Sequence, residues 1–355
     1  MSAEIPPGTD LSQIPILANP DGSPPNFINP PSLGGVTIAV STILLAASTI
    51  LVPLRLRTNR KICRKFAVDD YFCIIAWALA AAYTGVVISE IPTARHAWDV
   101  PLSAIDASWV KRTAVLGTIY GPAMWFAKTA ILTLYLRLFS VVTWLRWCCY
   151  VGITFMFFAY WSLLPVSVVY NFPHGNEKWD FATTAKSAPS QVAYVTIGAV
   201  SVLSDIFILI LPFPILFTLQ ASRKRKIGLS IVFLAAIIGI VSSIFVFYFR
   251  VILWKNKTMD SSWNVAASYL TVVVEMNVAV IVSCTPAVAA SWKLFLKDSR
   301  LLSSLRSVLR SSRSLAQISS HESTGKLGGA DLASGTNLVS AGSLELADRS
   351  HSIHQ

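Results

Sequence analysis

Residues 34–61 read GGVTIAVSTILLAASTILVPLRLRTNRK, an apolar run without a charged side chain as far as Leu54, followed at once by Arg55, Arg57, Arg60 and Lys61. A bilayer core about 30 Å thick needs about 20 helical residues to cross it, because a helix rises about 1.5 Å per residue and satisfies its backbone polar groups internally. This run meets that length, and the cations behind it mark the end expected to stay in the cytoplasm. Residues 1–33 hold no Lys or Arg and are rich in proline. They lack the basic head of a cleaved signal peptide, so the run at 34–54 is expected to act as a signal anchor.

The same reading extends outward along the chain. Further runs of spanning length lie near 71–89, 113–136, 147–170, 193–218, 227–249 and 265–290. The expected fold is an all-α membrane protein, a seven-transmembrane helix bundle with its N-terminus outside and its C-terminus cytoplasmic. With that orientation the inner segments hold eighteen Lys and Arg and the outer ones eight, the bias that positive inner loops require. Composition agrees, with 54% hydrophobic and 13% charged residues, far from the balance of a water-soluble chain. The net charge of +11 does not indicate nucleic acid. The cations sit in short clusters between apolar runs rather than on one continuous face.

Four parts are therefore expected: a disordered outer tail over 1–33, a transmembrane domain over 34–292, an amphipathic basic helix over 293–315, and a disordered cytoplasmic tail over 316–355. In the third, leucines at helical spacing alternate with Lys297, Arg300, Arg306, Arg310 and Arg313, the pattern of a helix lying on an anionic lipid surface. Asn256-Lys257-Thr258 is a glycosylation sequon between spans six and seven, on the outer side in this arrangement. The chain is expected in the plasma membrane or an internal membrane.

Charges inside apolar runs are the natural candidates for chemistry, since each costs roughly 2.5–3.5 kcal/mol to insert and usually faces the bundle interior. Lys128 in span three, Asp205 in span five and Glu275 in span seven fall at similar depths, so the lysine is expected to pair with one acid or both. Two readings stand: a charge cluster that only locks helices together, or a polar binding site or proton relay shaped by Tyr120, Trp125 and Tyr135. Asp69 and Asp70 open span two, where a carboxylate caps the first helical turn and complements its dipole. Capping needs one acid, which leaves an inner-face role open for the other.

Pro212 and Pro214 in span five and Pro286 in span seven are expected to kink or loosen their helices. His96, Asp99, His174, Glu177 and Asp180 lie on the outer loops, too scattered for a metal site, and no metal is expected. The five cysteines fall in apolar runs or basic loops, so no outer disulfide framework is available. No HExxH, CxxC, P-loop, GxSxG or dinucleotide motif occurs, which removes the commoner soluble chemistries.

Taken together, several segments resemble the fungal rhodopsin-domain family of integral membrane proteins over about residues 35–295. They are Asp69-Asp70-Tyr71-Phe72 after the first basic loop, Ala127-Lys128-Thr129-Ala130-Ile131-Leu132 leading to Tyr135-Leu136-Arg137-Leu138-Phe139, and Asp205 with Leu211-Pro212. Lys224-Arg225-Lys226-Ile227-Gly228-Leu229 and Glu275-Met276-Asn277 with Pro286 belong to the same set. The resemblance implies a seven-helix bundle in a family whose members include pathogenicity receptor-like proteins and membrane proteins of satratoxin-type and other secondary-metabolite clusters. Many members carry cysteines in the second outer loop where this chain has Asn171-Phe172-Pro173 through Trp179-Asp180 and none.

A retinal Schiff base needs a lysine in the last span. Residues 265–290 contain none, so no retinal or other cofactor is expected. The leading functional expectation is a receptor-like or accessory membrane protein, sensing a small or lipophilic ligand and presenting basic inner loops to a cytoplasmic protein partner. The alternative is a membrane-embedded acid–base enzyme of secondary metabolism, cyclase-like, with Asp205 or Glu275 as proton donor. A transporter ranks third, because no internal repeat is apparent.

Overall fold

The computed structural model describes residues 10–63, 66–180, 186–214, 223–255 and 260–298. Among these the chain is all-helical, with no strand beyond two isolated bridges. The helices are α1 (Gly34–Cys63), α2 (Val68–Ser89), α3 (Ala107–Leu138), α4 (Thr143–Trp161), α5 (Leu163–Asn171), α6 (Ser190–Ile210), α7 (Arg223–Lys255) and α8 (Ser261–Asp298). Counting α4 and α5 as one pass, six passes are long and apolar enough to cross a membrane. The seventh long helix is α3, whose 32 residues include the interior Lys128 and the polar residues around it. The protein is a multi-pass membrane protein. The Asn256 sequon, most of the basic segment 293–315 and the tail 316–355 lie outside the described residues.

Burial runs in the sense a lipid solvent dictates. On α1, Ile43 and Ile50 are 68% and 67% exposed while Ser41 and Ser48 are fully buried, and on α4 Trp147, Val151, Phe155 and Phe158 form an outward apolar stripe at helical spacing. Water would reject that surface, and acyl chains would accept it. The interior belongs to α3 and α8, and α8 is hydrogen-bonded to α1, α2, α3, α6 and α7.

Local chemistry sets the helix ends. Asp106 caps α3, its carboxylate accepting from the Trp109 N–H at 2.7 Å, a bond that holds the Asp106 carboxyl below the ordinary range. The fourth pass divides at Ser162, where Pro165 has no N–H to return to Trp161. Helix α6 stops at Ile210, the chain turns at Leu211–Pro212 and is helical again at Phe213 and Pro214, so the pass is interrupted at Pro212, where a kink or loosening is expected.

The N-terminal stretch departs from expectation. Instead of a disordered tail, residues 10–33 dock on the segment between α2 and α3: the Leu102 N–H donates to Ile14 O at 2.8 Å, Ile16 N–H to Val100 O at 3.1 Å and Leu33 N–H to Ala94 O at 3.0 Å. The Asn26 N–H donates to Asp99 Oδ1 at 2.8 Å. The end of the bundle carrying this strap is called the strap end below, and the opposite one the basic end.

Helix α3 approaches α4 where Gly121 leaves room, since a Cβ there would lie 2.3 Å from the Tyr160 carbonyl oxygen. Gly121→Ala is expected to lower stability by about 1–3 kcal/mol through overpacking. Gly85 in α2 faces open space, so Gly85→Ala serves as the control and should be neutral or stabilising. Thermal unfolding of both variants in the same detergent makes the comparison, and equal melting temperatures would refute the close-approach account.

Candidate functional site

Three features occupy successive depths of the bundle. In the middle, α3 brings Lys128, fully buried, against α6, where its Nζ lies 2.8 Å from Asp205 Oδ1. The ammonium also donates to Ser204 Oγ at 2.7 Å and to Ser201 Oγ and O at 2.9 Å. Glu275 on α8 does not touch the lysine. It accepts from Ser243 Oγ of α7 at 2.7 Å, from Tyr120 OH at 3.3 Å and from Ser201 Oγ. Ser243 also reaches Asp205, so one hydroxyl stands between the two carboxyls and helices α3, α6, α7 and α8 share a single network. The cavity beside Asp205 and Glu275 measures about 20 Å³, room for about one water molecule.

Of the aromatics expected around this cluster, Tyr120 alone is hydrogen-bonded to it. Trp125 packs against Phe72, Phe126, Phe157 and Trp161, and Tyr135 against Phe139. Tyr160 takes the remaining place: its hydroxyl lies 3.1 Å from Ser201 Oγ and its ring 5.7 Å from Lys128 Nζ.

Towards the strap end the network continues into Arg250, which follows directly on the apolar run 227–249 and is one of the eight outer cations by sequence. It is only 5% exposed; its guanidinium lies 4.2 Å over the Tyr120 ring and donates to Tyr194 O at 3.1 Å. Sequence does carry a signal for it. Arg250 follows Ser243 by seven positions, two helical turns on the same face. The buried Ser41, Ser48 and Arg55 of α1 repeat that spacing, so a polar stripe running inward along a lipid-facing helix marks the end-of-run cation that turns inside.

At the basic end Arg55 is fully buried and gathers both acids of span two. Its Nη2 donates to Asp69 Oδ2 at 2.5 Å and its Nε to Asp70 Oδ1 at 3.2 Å, while Nη1 donates to the Ser283 carbonyl of α8. Asp70 also does the capping, accepting from the Ala67 N–H at 3.2 Å, and takes a bond from Asn59 Nδ2 at 2.7 Å. Asp69 takes the second role, with Arg137 of α3 at 3.3 Å. Four helices thus meet on two cations and two carboxylates, with Arg55 between both acids.

Two adjoining cavities lie at the strap end. The deeper one, about 120 Å³, is lined by Tyr83, Tyr120, Tyr194, Arg250 and Tyr269. The outer one, about 360 Å³, lies under the strap, shares Tyr269, Gln191 and Val265 with the first, and is bounded by Trp109, Glu90 and Ile16. Glu90 Oε1 accepts from Arg112 Nε, and burial raises the Glu90 carboxyl above the ordinary 4.5 while Arg112 pulls it down. The folded protein therefore holds this proton at pH values where the unfolded chain has lost it. Stability tied to Glu90 is full below the ordinary value and drains as pH climbs through the raised one. Glu90→Gln is expected to flatten that fall in melting temperature above about pH 4; a slope identical to the parent's would remove Glu90 as its source.

Of the polar residues on the outer loops, Asp99 holds the strap and His96 is held in a stack. His96 lies between Trp98 and Trp263, 4.7 and 4.2 Å between ring centroids, with Nδ1 2.6 Å from Asp260 Oδ2. Among the described residues no three His, Cys, Asp or Glu side chains converge as a metal would need.

The model of the fungal rhodopsin domain matches residues 54–294, a stretch that includes Arg55, both acids of span two and the whole central network. A protein of Gibberella zeae named Fugralins biosynthesis cluster protein 2 is 25% identical over 291 residues, covering 77% of this chain and 69% of its own length. A SAT4 family membrane protein of Emericella nidulans is 27% identical over 213 residues, covering 59% of this chain and 52% of its own length. No solved structure gives a significant match.

Proposed function

The chain belongs to the fungal rhodopsin domain family, and we propose that within it this protein is a receptor-like membrane sensor of a small lipophilic molecule. The supporting observation is the connection between cavity and network. The strap-end cavities lead to Arg250, whose cation lies on the ring of Tyr120, whose hydroxyl bonds Glu275. A ligand that draws Arg250 or Tyr120 out of place removes a partner from a buried carboxyl shared by four helices. Such groups have few alternative partners, so the helices must readjust.

The strap end faces outside in this reading, as the Lys and Arg asymmetry supports, and the basic end meets anionic lipid and a cytoplasmic protein rather than nucleic acid. The membrane is the plasma membrane or an internal one. No retinal is assigned: the deep Lys128 amine is engaged by Asp205, Ser201 and Ser204. Visible absorbance of purified protein that hydroxylamine bleaches would overturn that.

A second reading has a motive in the name of the Gibberella relative. If this chain is a cyclase-like enzyme of a biosynthetic cluster, Asp205 or Glu275 must reach a substrate. The space beside them is about 20 Å³, against the hundreds of Å³ a small-molecule site occupies, which favours sensing. Deletion of the gene separates the two. For a sensor, the transcriptional response of the host to secreted metabolites disappears, and a Glu275→Gln protein that reaches the membrane does not restore it. Accumulation of one discrete precursor with the response intact supports the enzyme.

A further inference from the structure

The outer cavity is bordered by two polar atoms without a partner at hydrogen-bond geometry, although the Thr93 side chain stands near enough to the Glu90 carboxyl to offset part of the rise that burial gives its pKa. Glu90 is 5% exposed and Thr37 3%, both line the cavity, and Glu90 Oε2 and Thr37 Oγ1 are buried without a hydrogen-bond partner. A buried acceptor left bare costs about 1–3 kcal/mol, more when charged, and native proteins rarely keep two beside one space. The remaining wall is mostly apolar, from Ile91, Ile105, Trp109, Leu253 and Val265. Ile16 forms a roof, held by its N–H on Val100 O at 3.1 Å.

The charge state of the site selects among ligand heads. Glu90 already has its cation, since Arg112 Nε donates to the other carboxylate oxygen. A ligand ammonium would leave an excess positive charge in a buried space, and desolvating it is costly. A neutral hydroxyl supplies the missing donor without that charge, and its own oxygen accepts from the Thr37 hydroxyl.

We propose that the outer cavity binds a neutral, largely apolar alcohol, its hydroxyl donating to Glu90 Oε2 beside Thr37 and its hydrocarbon body held between Trp109 and Val265 under the Ile16 roof. This names the ligand class for the sensor read above and rests on that reading. The volume, about 360 Å³, is at the lower end of small-molecule sites, which suits a compact ligand with one polar head.

The test uses the full chain in lipid nanodiscs at neutral pH, photolabelled with a decanol analogue carrying a mid-chain diazirine and mapped by peptide mass spectrometry. Labelling is expected on the peptides carrying Trp109 and Val265 and is displaced by 1-decanol. Displacement by 1-methoxydecane, which has no donor, should need about tenfold or more higher concentration, and decylamine should compete no better than decanol. Ala266→Phe, which fills the cavity, should abolish the labelling, and Glu90→Leu should erase the preference for alcohol over ether. Equal displacement by ether and alcohol, or stronger displacement by amine, overturns the ligand class while leaving the cavity as the sensing end. Absence of displaceable label there, or label untouched by Ala266→Phe, overturns the cavity assignment and removes the sensor's entry point with it.

Discussion

Arg55→Met is expected to destabilise the protein by about 3–5 kcal/mol, the loss that follows when one member of a buried ion group is removed and its partners stay charged. The expectation rests on geometry. Asp69 and Asp70 are 2% and 0% exposed, and Arg55 contacts both, so methionine fills the volume but leaves two neighbouring carboxylates without their central cation. Arg137 remains on Asp69 at 3.3 Å, and Asn59 and the Ala67 N–H remain on Asp70, which places the effect below complete unfolding. Arg55→Lys should recover only part of the loss. A lysine has one nitrogen where the guanidinium divides its Nε, Nη1 and Nη2 among Asp70, Ser283 and Asp69. Adding Asp69→Asn to Arg55→Met should restore a portion, as coupled neighbours do in a double-mutant cycle. Melting curves in one detergent decide this. A single variant within about 1 kcal/mol of the parent would mean that this end of the bundle is held by packing instead.

How much of this could be read from sequence follows from what a bilayer does to side chains. The passes were legible because an apolar run of spanning length has few other uses in a protein, and α3 was legible through its apolar flanks despite Lys128. Lys128, Asp205 and Glu275 announced themselves because a charge in mid-run has nowhere to go but inward. Which of them touch was not legible, because it depends on helix rotation. The structure gives Asp205 to the lysine and joins Glu275 through serines 201 and 243. Arg55 and Arg250 were hidden for a different reason. A long cation at the end of a run reaches the interface as readily as the interior, and composition alone assigns it to the loop. Only the seven-residue spacing to buried serines distinguishes the two. The strap at residues 10–33 was illegible because its order comes from backbone partners at Ala94, Val100 and Leu102, far along the chain, while proline-rich composition suggests disorder.

Lys128→Met removes the cation of the central network, and a loss of about 3–5 kcal/mol is expected, since Asp205 and its serine partners then face the interior without it. Asp205 keeps a 17% exposed side chain, but at mid-span that side meets acyl chains, which do not solvate a carboxylate and so relieve none of the penalty. Pairing the change with Asp205→Leu removes both charges and leaves a more apolar contact of similar size. Such replacements are often neutral or stabilising, and the double variant is expected to melt within about 1 kcal/mol of the parent. That pair of measurements separates a lock from a working site. If the ion pair only fixes the helices, the double variant, folded and in the membrane, responds to ligand as the parent does. In the sensor reading it does not, because Ser201 and Ser204 have lost the ammonium that orients them, and Ser243 is left bridging Glu275 to nothing. A stable, fully responsive Lys128→Met/Asp205→Leu protein would assign that ion pair to architecture and confine the sensing chemistry to Glu275, Tyr120, Arg250 and the cavities above them.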